Sequence, residues 1–162
     1  MKLLNAAIIT SSNRASLGIY LDLSGDILAA GLEKLGFTIA SKTIVADSIP
    51  LLSAEISKAV AAKIDLIVTT GGTGISPTDV TPEATGAIIQ KSLPGISEAI
   101  RAFSREKVPT SDLSRGLAGT ADHSLIINLP GSPGGVRDGL VIIERVVLHA
   151  IAQLAGEDHE QP

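Results

Sequence analysis

Gly71-Gly72-Thr73-Gly74 sets three glycines within four positions, and Asp79-Val80-Thr81-Pro82-Glu83 follows closely. Glycines leave the main chain uncovered, so a ligand can approach it and several N–H groups can converge on one anion. Thr81, Pro82 and Glu83 are the residue types expected at an N-cap, a first helical position and a first turn. The stretch therefore predicts a phosphate cradle made of a glycine loop and a helix N-terminus. Asp79 sits inside it. A carboxylate beside phosphate repels it unless a cation lies between them, which marks Asp79 as a candidate Mg²⁺ ligand or as a hydrogen-bond partner of the groups that bind the ion. Thr73 and Ser12 offer hydroxyls suited to phosphate. The spacing fits neither a P-loop, which needs a lysine after its last glycine, nor the dinucleotide pattern G-x-G-x-x-G.

The elements that must position these groups follow from apolar periodicity. Asp65-Leu66-Ile67-Val68-Thr69-Thr70 is a short apolar run rich in β-branched residues that reads as a buried strand feeding the glycine loop. Leu3 to Thr10 reads as a first strand covered on both faces, followed by the polar loop Ser11–Gly18. Asp22 to Leu35 reads as a helix stopped by Gly36. Thr38 to Val45 alternates as a second strand and ends near Asp47. Pro50 to Ala62 and Pro82 to Ser92 are expected helices, and Ile96, Ala99, Ile100 and Phe103 mark another. Residues 107–122 are irregular, as a functional loop or a short strand would make them. Ser124 to Leu129 is a further strand. Ser132 and Pro133 then read as the N-cap and first residue of a C-terminal helix carrying Val136, Leu140, Ile143 and Val147. Alternating strands and helices predict an α/β fold, a three-layer αβα arrangement on a mostly parallel sheet. One domain over residues 1–155 is expected, with 156–162 a frayed polar tail. Ser11–Gly18, Asp47, Gly71–Thr81 and Pro130–Gly135 would then meet at one sheet edge and form a pocket.

Composition narrows the chemistry. The chain has 162 residues, 44% of them hydrophobic and only 2% aromatic, so its core must be aliphatic. A net charge of −4 and the scarcity of aromatic rings argue against nucleic acid as a partner. Without cysteine, disulfides, thiol catalysis and zinc–thiolate sites all drop out. No apolar run approaches membrane-spanning length, so no membrane partner is expected and a cytoplasmic location is. His123, His149 and His159 lack metal-ligand spacing and read as surface residues.

The ordered motifs resemble the MogA/MoaB molybdenum-cofactor biosynthesis proteins, which include the molybdopterin adenylyltransferases and the G domain of gephyrin. Ser12-Asn13-Arg14-Ala15 with Gly18, Tyr20, Asp22, Ser24 and Gly25 resembles that family's N-terminal loop and helix start. Thr69 to Gly74 and Asp79 to Thr85 resemble its central motif. Leu113-Ser114-Arg115 with Gly119, and Asn128-Leu129-Pro130-Gly131-Ser132-Pro133, resemble its pterin-side motifs. The resemblance implies transfer of AMP from ATP to the phosphate of molybdopterin, with Mg²⁺ required and pyrophosphate released. It implies catalytic and metal roles for Asp47 and Asp79. For Ser12, Gly71, Gly72, Thr73, Gly74, Thr81, Ser114, Arg115, Pro130, Gly131 and Ser132 it implies contact with the bound ligands. It further implies a homotrimer and a partner protein that inserts molybdate. Two positions depart from the pattern: Asn13 stands where Asp is common, and Thr78 where a basic residue often precedes the motif's Asp.

Plainer roles stand beside these. Asp47 could cap the helix after it, Asp79 could be a turn residue, Arg115 a solvated charge and Pro130–Pro133 a strand-to-helix connector. The alternative function is a non-catalytic molybdopterin-binding or scaffold protein on the same fold.

Overall fold

The computed structural model describes residues 3–157. In chain order the elements are β1 (Asn5–Ser11), α1 (Asn13–Ser16), α2 (Leu23–Lys34), β2 (Thr38–Val45), α3 (Ile49–Ala61) and β3 (Leu66–Thr70). Then come α4 (Thr81–Gly86), β4 (Lys91–Ser92), α5 (Pro94–Arg105), a 3-10 turn (Pro109–Leu113), β5 (Ala118–Ala121), β6 (Ser124–Leu129) and α6 (Pro133–Leu154). The six strands form one sheet in the order β2-β1-β3-β6-β5-β4. β2, β1, β3 and β6 run parallel, while β5 and β4 join antiparallel at one edge.

The pleat explains why the central strands are apolar at successive positions. In β1, Ala6 and Ile8 face the layer that contains Leu28 and Leu32 of α2, Ile100 of α5, and Val136, Ile143 and Val147 of α6. Ala7 and Ile9 face the opposite layer, with Leu52 and Ile56 of α3 and Ala84 of α4. Both faces of the sheet are thus covered, which gives the expected three layers. Each fully buried Leu or Ile contributes about 1.5–3 kcal/mol, so an aliphatic core this extensive needs few aromatic rings. Among the described residues no helix is long and apolar enough to cross a membrane.

One expectation changes. The helix expected over Pro82 to Ser92 ends at Gly86, and Lys91–Ser92 instead pairs with Gly119 and Thr120 of β5. The main-chain N–H of Gln90 donates to the Thr120 carbonyl at 2.8 Å, so strand pairing takes over from helix continuation. The irregular segment 107–122 contains the 3-10 turn and the strand β5, whose small residues Ala118–Ala121 are all buried. Of the tail, Gly156 and Glu157 are described, while 158–162, including His159, lie outside the described residues.

One buried polar residue locks the carboxyl half of the sheet. Asn128, in β6, is 3% exposed. Its amide donates to Thr69 Oγ1 in β3 at 2.9 Å and to Thr85 Oγ1 in α4 at 3.0 Å, and its Oδ1 accepts from the Leu117 N–H at 3.0 Å. Truncation would strand buried partners, at a cost of about 1–3 kcal/mol for each group left unpaired. Asn128→Ala should therefore lower the urea midpoint by an amount equivalent to about 2–4 kcal/mol at fixed protein concentration. An unchanged midpoint would show that this network contributes nothing.

Candidate active site

The sheet order places β2 on one side of β1 and β3 on the other, so the chain reverses its direction of travel between β1 and β3. Crevices open at the carboxyl ends of parallel strands at such a point. Gly71, just after β3, has φ +94° and donates its N–H to the Leu129 carbonyl at 3.1 Å. A Cβ at Gly71 would overlap the Ser11 carbonyl oxygen, so no side chain fits where β1, β3 and β6 converge. Two hydroxyls tie the 130–131 turn to this junction: Thr70 Oγ1 donates to the Pro130 carbonyl at 2.8 Å, and Ser24 Oγ to the Gly131 carbonyl at 2.7 Å.

A cleft of about 530 Å³ opens here, and Asp22, Asp47 and Asp79 all line it; among the described residues no lysine or arginine does. Asp47 is fixed from β1: its Oδ1 accepts from Ser11 Oγ at 2.6 Å and its Oδ2 from the Asn13 N–H at 3.2 Å. The Asp47 N–H donates back to Asn13 Oδ1 at 2.9 Å. Asp22 caps α2 through the Gly25 N–H at 3.0 Å and accepts from Thr10 Oγ1 at 2.7 Å. Asp79 Oδ2 accepts from the Ser76 N–H at 3.0 Å. Ser12, Gly71, Gly72 and Gly131 complete the part of the cleft that the sequence pointed to.

A second cavity of about 320 Å³ is lined by Thr73, Gly74, Ser114, Pro130 and Ser132, with Ser104, Lys107 and Asp138 behind them. Gly71 and Gly72 border the first cavity and Thr73 and Gly74 the second, so one loop touches both. Ser114 Oγ and Thr73 Oγ1 lie 3.4 Å apart. Ser132 caps α6 by accepting from the Gly135 N–H at 3.1 Å.

Residues 7–150 match the family described as "Probable molybdopterin binding domain". The chain belongs to this family. It is 40% identical to the molybdopterin adenylyltransferase of Helicobacter pylori, over 96% of this chain and 90% of that protein. It is 34% identical to the molybdopterin adenylyltransferase of Escherichia coli K12, over 93% of this chain and 81% of that one. The structure of the Mog protein of molybdopterin biosynthesis from Mycobacterium ulcerans superposes with a TM-score of 0.90 at 49% identity, covering 96% of this chain and 99% of that one.

Within this molybdopterin-binding fold, several residues occupy positions that their types did not disclose. Thr81 is the first residue of α4, and Val80 stands at the N-cap with no side-chain capping bond. The Thr81 hydroxyl is buried and donates to the Gly71 carbonyl at 2.9 Å, while its N–H donates to the Gly72 carbonyl at 3.0 Å. That long-range bracing displaces the expected cap. The space over Gly72 and Gly74 is filled by protein: a Cβ at Gly72 would overlap Thr81 Oγ1, and one at Gly74 would lie 2.8 Å from Asp79 Oδ2. Asp47 does not cap α3, since Ser48 does. At the two departures from the family pattern, Asn13 supplies the oxygen that the Asp47 N–H needs, and Thr78 is exposed beside Ser76. His123 and His149 are exposed, as expected.

Arg115 directs its donors at the loop 74–79 and at α4. Its Nε donates to the Gly74 carbonyl at 2.8 Å, one terminal nitrogen to the Asp79 carbonyl at 2.9 Å, and the other to the Glu83 carboxylate. Its own N–H donates to the Thr73 carbonyl at 2.7 Å. Sequence reasoning assigned no individual site role to Asp22, Ser104, Lys107 or Asp138, and placed Ser11 only at the start of a pocket-forming segment. Asp22 carried a signal, as a carboxylate three positions before Gly25 at a helix start. Asp138 carried none: it falls on the side of α6 away from Val136, Leu140, Ile143 and Val147, and its contacts with Ser104 and Lys107 are made only in the fold.

The Arg115 hydrogen bond, opposed by slight burial, holds the Glu83 carboxyl below its ordinary value of 4.5. Both side chains are more than a third exposed, at 37% and 46%, so the pair adds little to global stability. A carboxyl with a lowered folded-state pKa contributes stability above its unfolded value and loses it as pH falls through the folded value. The clamp should accordingly survive mild acid and release only below 4.5. Carboxyl-carbon NMR should give a Glu83 midpoint below 4.5, returning to that value or slightly above in Arg115→Ala. A wild-type midpoint at or above 4.5 would mean that the pair is not formed in solution.

Proposed function

We propose that this chain is a molybdopterin adenylyltransferase of molybdenum-cofactor biosynthesis. The observation that carries this reading is the pair of cavities sharing one glycine loop, of which one is lined, among the described residues, by three aspartates and no cationic side chain. The names of its relatives supply the substrate class, and the geometry suits two anionic substrates held side by side.

In the reaction, an oxygen of the pterin phosphate attacks the α-phosphorus of ATP. A new P–O bond forms, the bond from that phosphorus to the β-phosphate bridging oxygen breaks, and the electron pair leaves with pyrophosphate. The attacking oxygen is already anionic, so no general base is needed; among the described residues no histidine lines either cavity. What such a transfer demands is positioning and relief of charge repulsion. Like charges 4 Å apart repel by about 4 kcal/mol at an effective dielectric constant of 20. Three aspartates in the same cleft would add to that repulsion.

The donors present fit Mg²⁺. They are hard carboxylate oxygens, and among the described residues no group of three or more His, Cys, Asp or Glu forms a closed metal cage. Mg²⁺ typically takes one or two protein carboxylates and completes its shell with water and substrate phosphates. Asp47 and Asp79 would hold it, and when bound it would neutralise charge on the triphosphate. The rest is done by the chain: Ser11 and Asn13 orient Asp47, Thr81 braces the loop main chain, and Thr73, Ser114 and Ser132 present hydroxyls to the pterin side. Within this reading the protein works in the cytoplasm as a homotrimer and hands its product to a partner that inserts molybdate.

Removing either carboxylate should weaken metal-dependent handling of ATP and spare pterin binding. Asp79→Ala and Asp47→Ala should each lower adenylylation by on the order of a hundredfold, the range for losing one electrostatic group from a site. Molybdopterin affinity should stay level or rise slightly, because a repulsive charge has gone. Wild-type rates in either variant would remove the metal-site assignment. Light scattering of the same preparations should give three times the chain mass of 16.6 kDa, and a stable monomer would rule out the trimer.

A further inference from the structure

Asp47 and Asp79 are held in different ways. Asp47 sits at a sheet edge and is gripped by Ser11 and Asn13 of the neighbouring strand end. Asp79 ends the loop 74–79, in which residues 75–78 are all exposed. Within the loop, the Asp79 N–H donates to the Ser76 carbonyl at 2.9 Å and Asp79 Oδ2 accepts from the Ser76 N–H at 3.0 Å. These bonds close the turn on itself and do not anchor it. Among the described residues, the hydrogen bonds from elsewhere in the chain to 74–79 come from Arg115: Nε to the Gly74 carbonyl and a terminal nitrogen to the Asp79 carbonyl.

We infer that Arg115 is a positioning residue for Asp79: its guanidinium staples the two ends of the exposed loop together and so sets where the Asp79 carboxylate stands in the acidic cleft. Glu83 takes the remaining side of the fork from α4, the helix that follows the loop. A planar guanidinium spans three acceptors in fixed directions, which a lysine ammonium does not reproduce. Three of its five N–H donors are engaged by two carbonyls and a carboxylate, and Arg115 lines neither cavity, so it acts on bound anions through Asp79 and not by touching them. The inference rests on the adenylyltransferase reading, in which Asp79 holds Mg²⁺ for ATP.

The two roles open to Arg115 separate cleanly in ATP affinity. A direct anion contact would strengthen ATP binding with or without metal. A positioning residue strengthens only the metal-dependent part. Calorimetric titration of the full-length protein with ATP, with and without Mg²⁺, reads this without any turnover. Arg115→Ala should lower MgATP affinity roughly tenfold to a hundredfold, as losing a group that orients a metal ligand does, and leave metal-free ATP affinity within about twofold. Arg115→Lys should behave like the alanine variant. Glu83→Gln, an exposed change on α4, should give a smaller loss of the same Mg²⁺-dependent kind, and it carries the test should Arg115→Ala fold poorly. Amide exchange over 75–80 should speed up in Arg115→Ala with no ligand present. Parallel losses with and without Mg²⁺ would overturn the inference in favour of direct anion contact. An unchanged Mg²⁺ response with unchanged exchange would overturn it outright. Wild-type protein that binds neither ATP nor MgATP would instead bring down the adenylyltransferase reading, while exchange over 75–80 would still report on the staple.

Discussion

The site depends on one steric constraint, the close passage of main chains where β1, β3 and β6 end together. At Gly71 the chain leaves β3 with a positive φ and runs so near the Ser11 carbonyl that a side chain would collide with it. Gly131 is nearly as confined: its Cβ would lie 3.2 Å from the Gly71 Cα. This convergence lets Ser11 reach Asp47 from β1, lets Thr81 reach back to the Gly71 carbonyl, and opens a cavity on each side of one loop. Larger side chains at these glycines would push the strand ends apart and separate the cavities from each other.

On that frame the charge distribution becomes intelligible. A cleft with three aspartates is a poor place for a triphosphate and a good place for a cation that must meet one. Part-buried and exposed hydrogen bonds keep those carboxylates oriented. Asp22 and Asp47 take theirs from hydroxyls and amides of the sheet edge, whereas Asp79 depends on a clamp that reaches across from residue 115. The second cavity follows a different plan. Its hydroxyls and apolar walls suit a flat, weakly charged ring system, and the one carboxylate behind them, Asp138, is already matched by Lys107 at 2.8 Å and by Ser104 at 2.9 Å.

The strands were legible where period and branching agreed. Thr38–Val45 and Ser124–Leu129 have the boundaries that their sequence implies, and Ser132 caps the helix that its type announces. What local patterns missed was decided over long range. Ile88 and Ile89 extend a helical apolar pattern, yet the chain there turns toward β5 because Gln90 finds a partner at Thr120. Thr81-Pro82 has the look of a capped start, but the Thr81 hydroxyl goes to Gly71. Arg115 reads as a loop cation suited to an anion, and only the fold brings Gly74, Asp79 and Glu83 within its reach. At Gly72 and Gly74 the fold adds a constraint that local sequence does not show: a Cβ there would meet Thr81 and Asp79.

The account's central claim is that these two cavities bring a pterin phosphate to the α-phosphorus of ATP. The most direct measurement supplies the full-length protein with Mg²⁺, ATP and molybdopterin carrying ¹⁸O in its terminal phosphate oxygens, and follows both products by mass spectrometry. The account predicts adenylylated molybdopterin that retains all of the label, together with unlabelled pyrophosphate in equal amount. Label in the released pyrophosphate, or AMP and pyrophosphate with no adenylylated pterin, would contradict it.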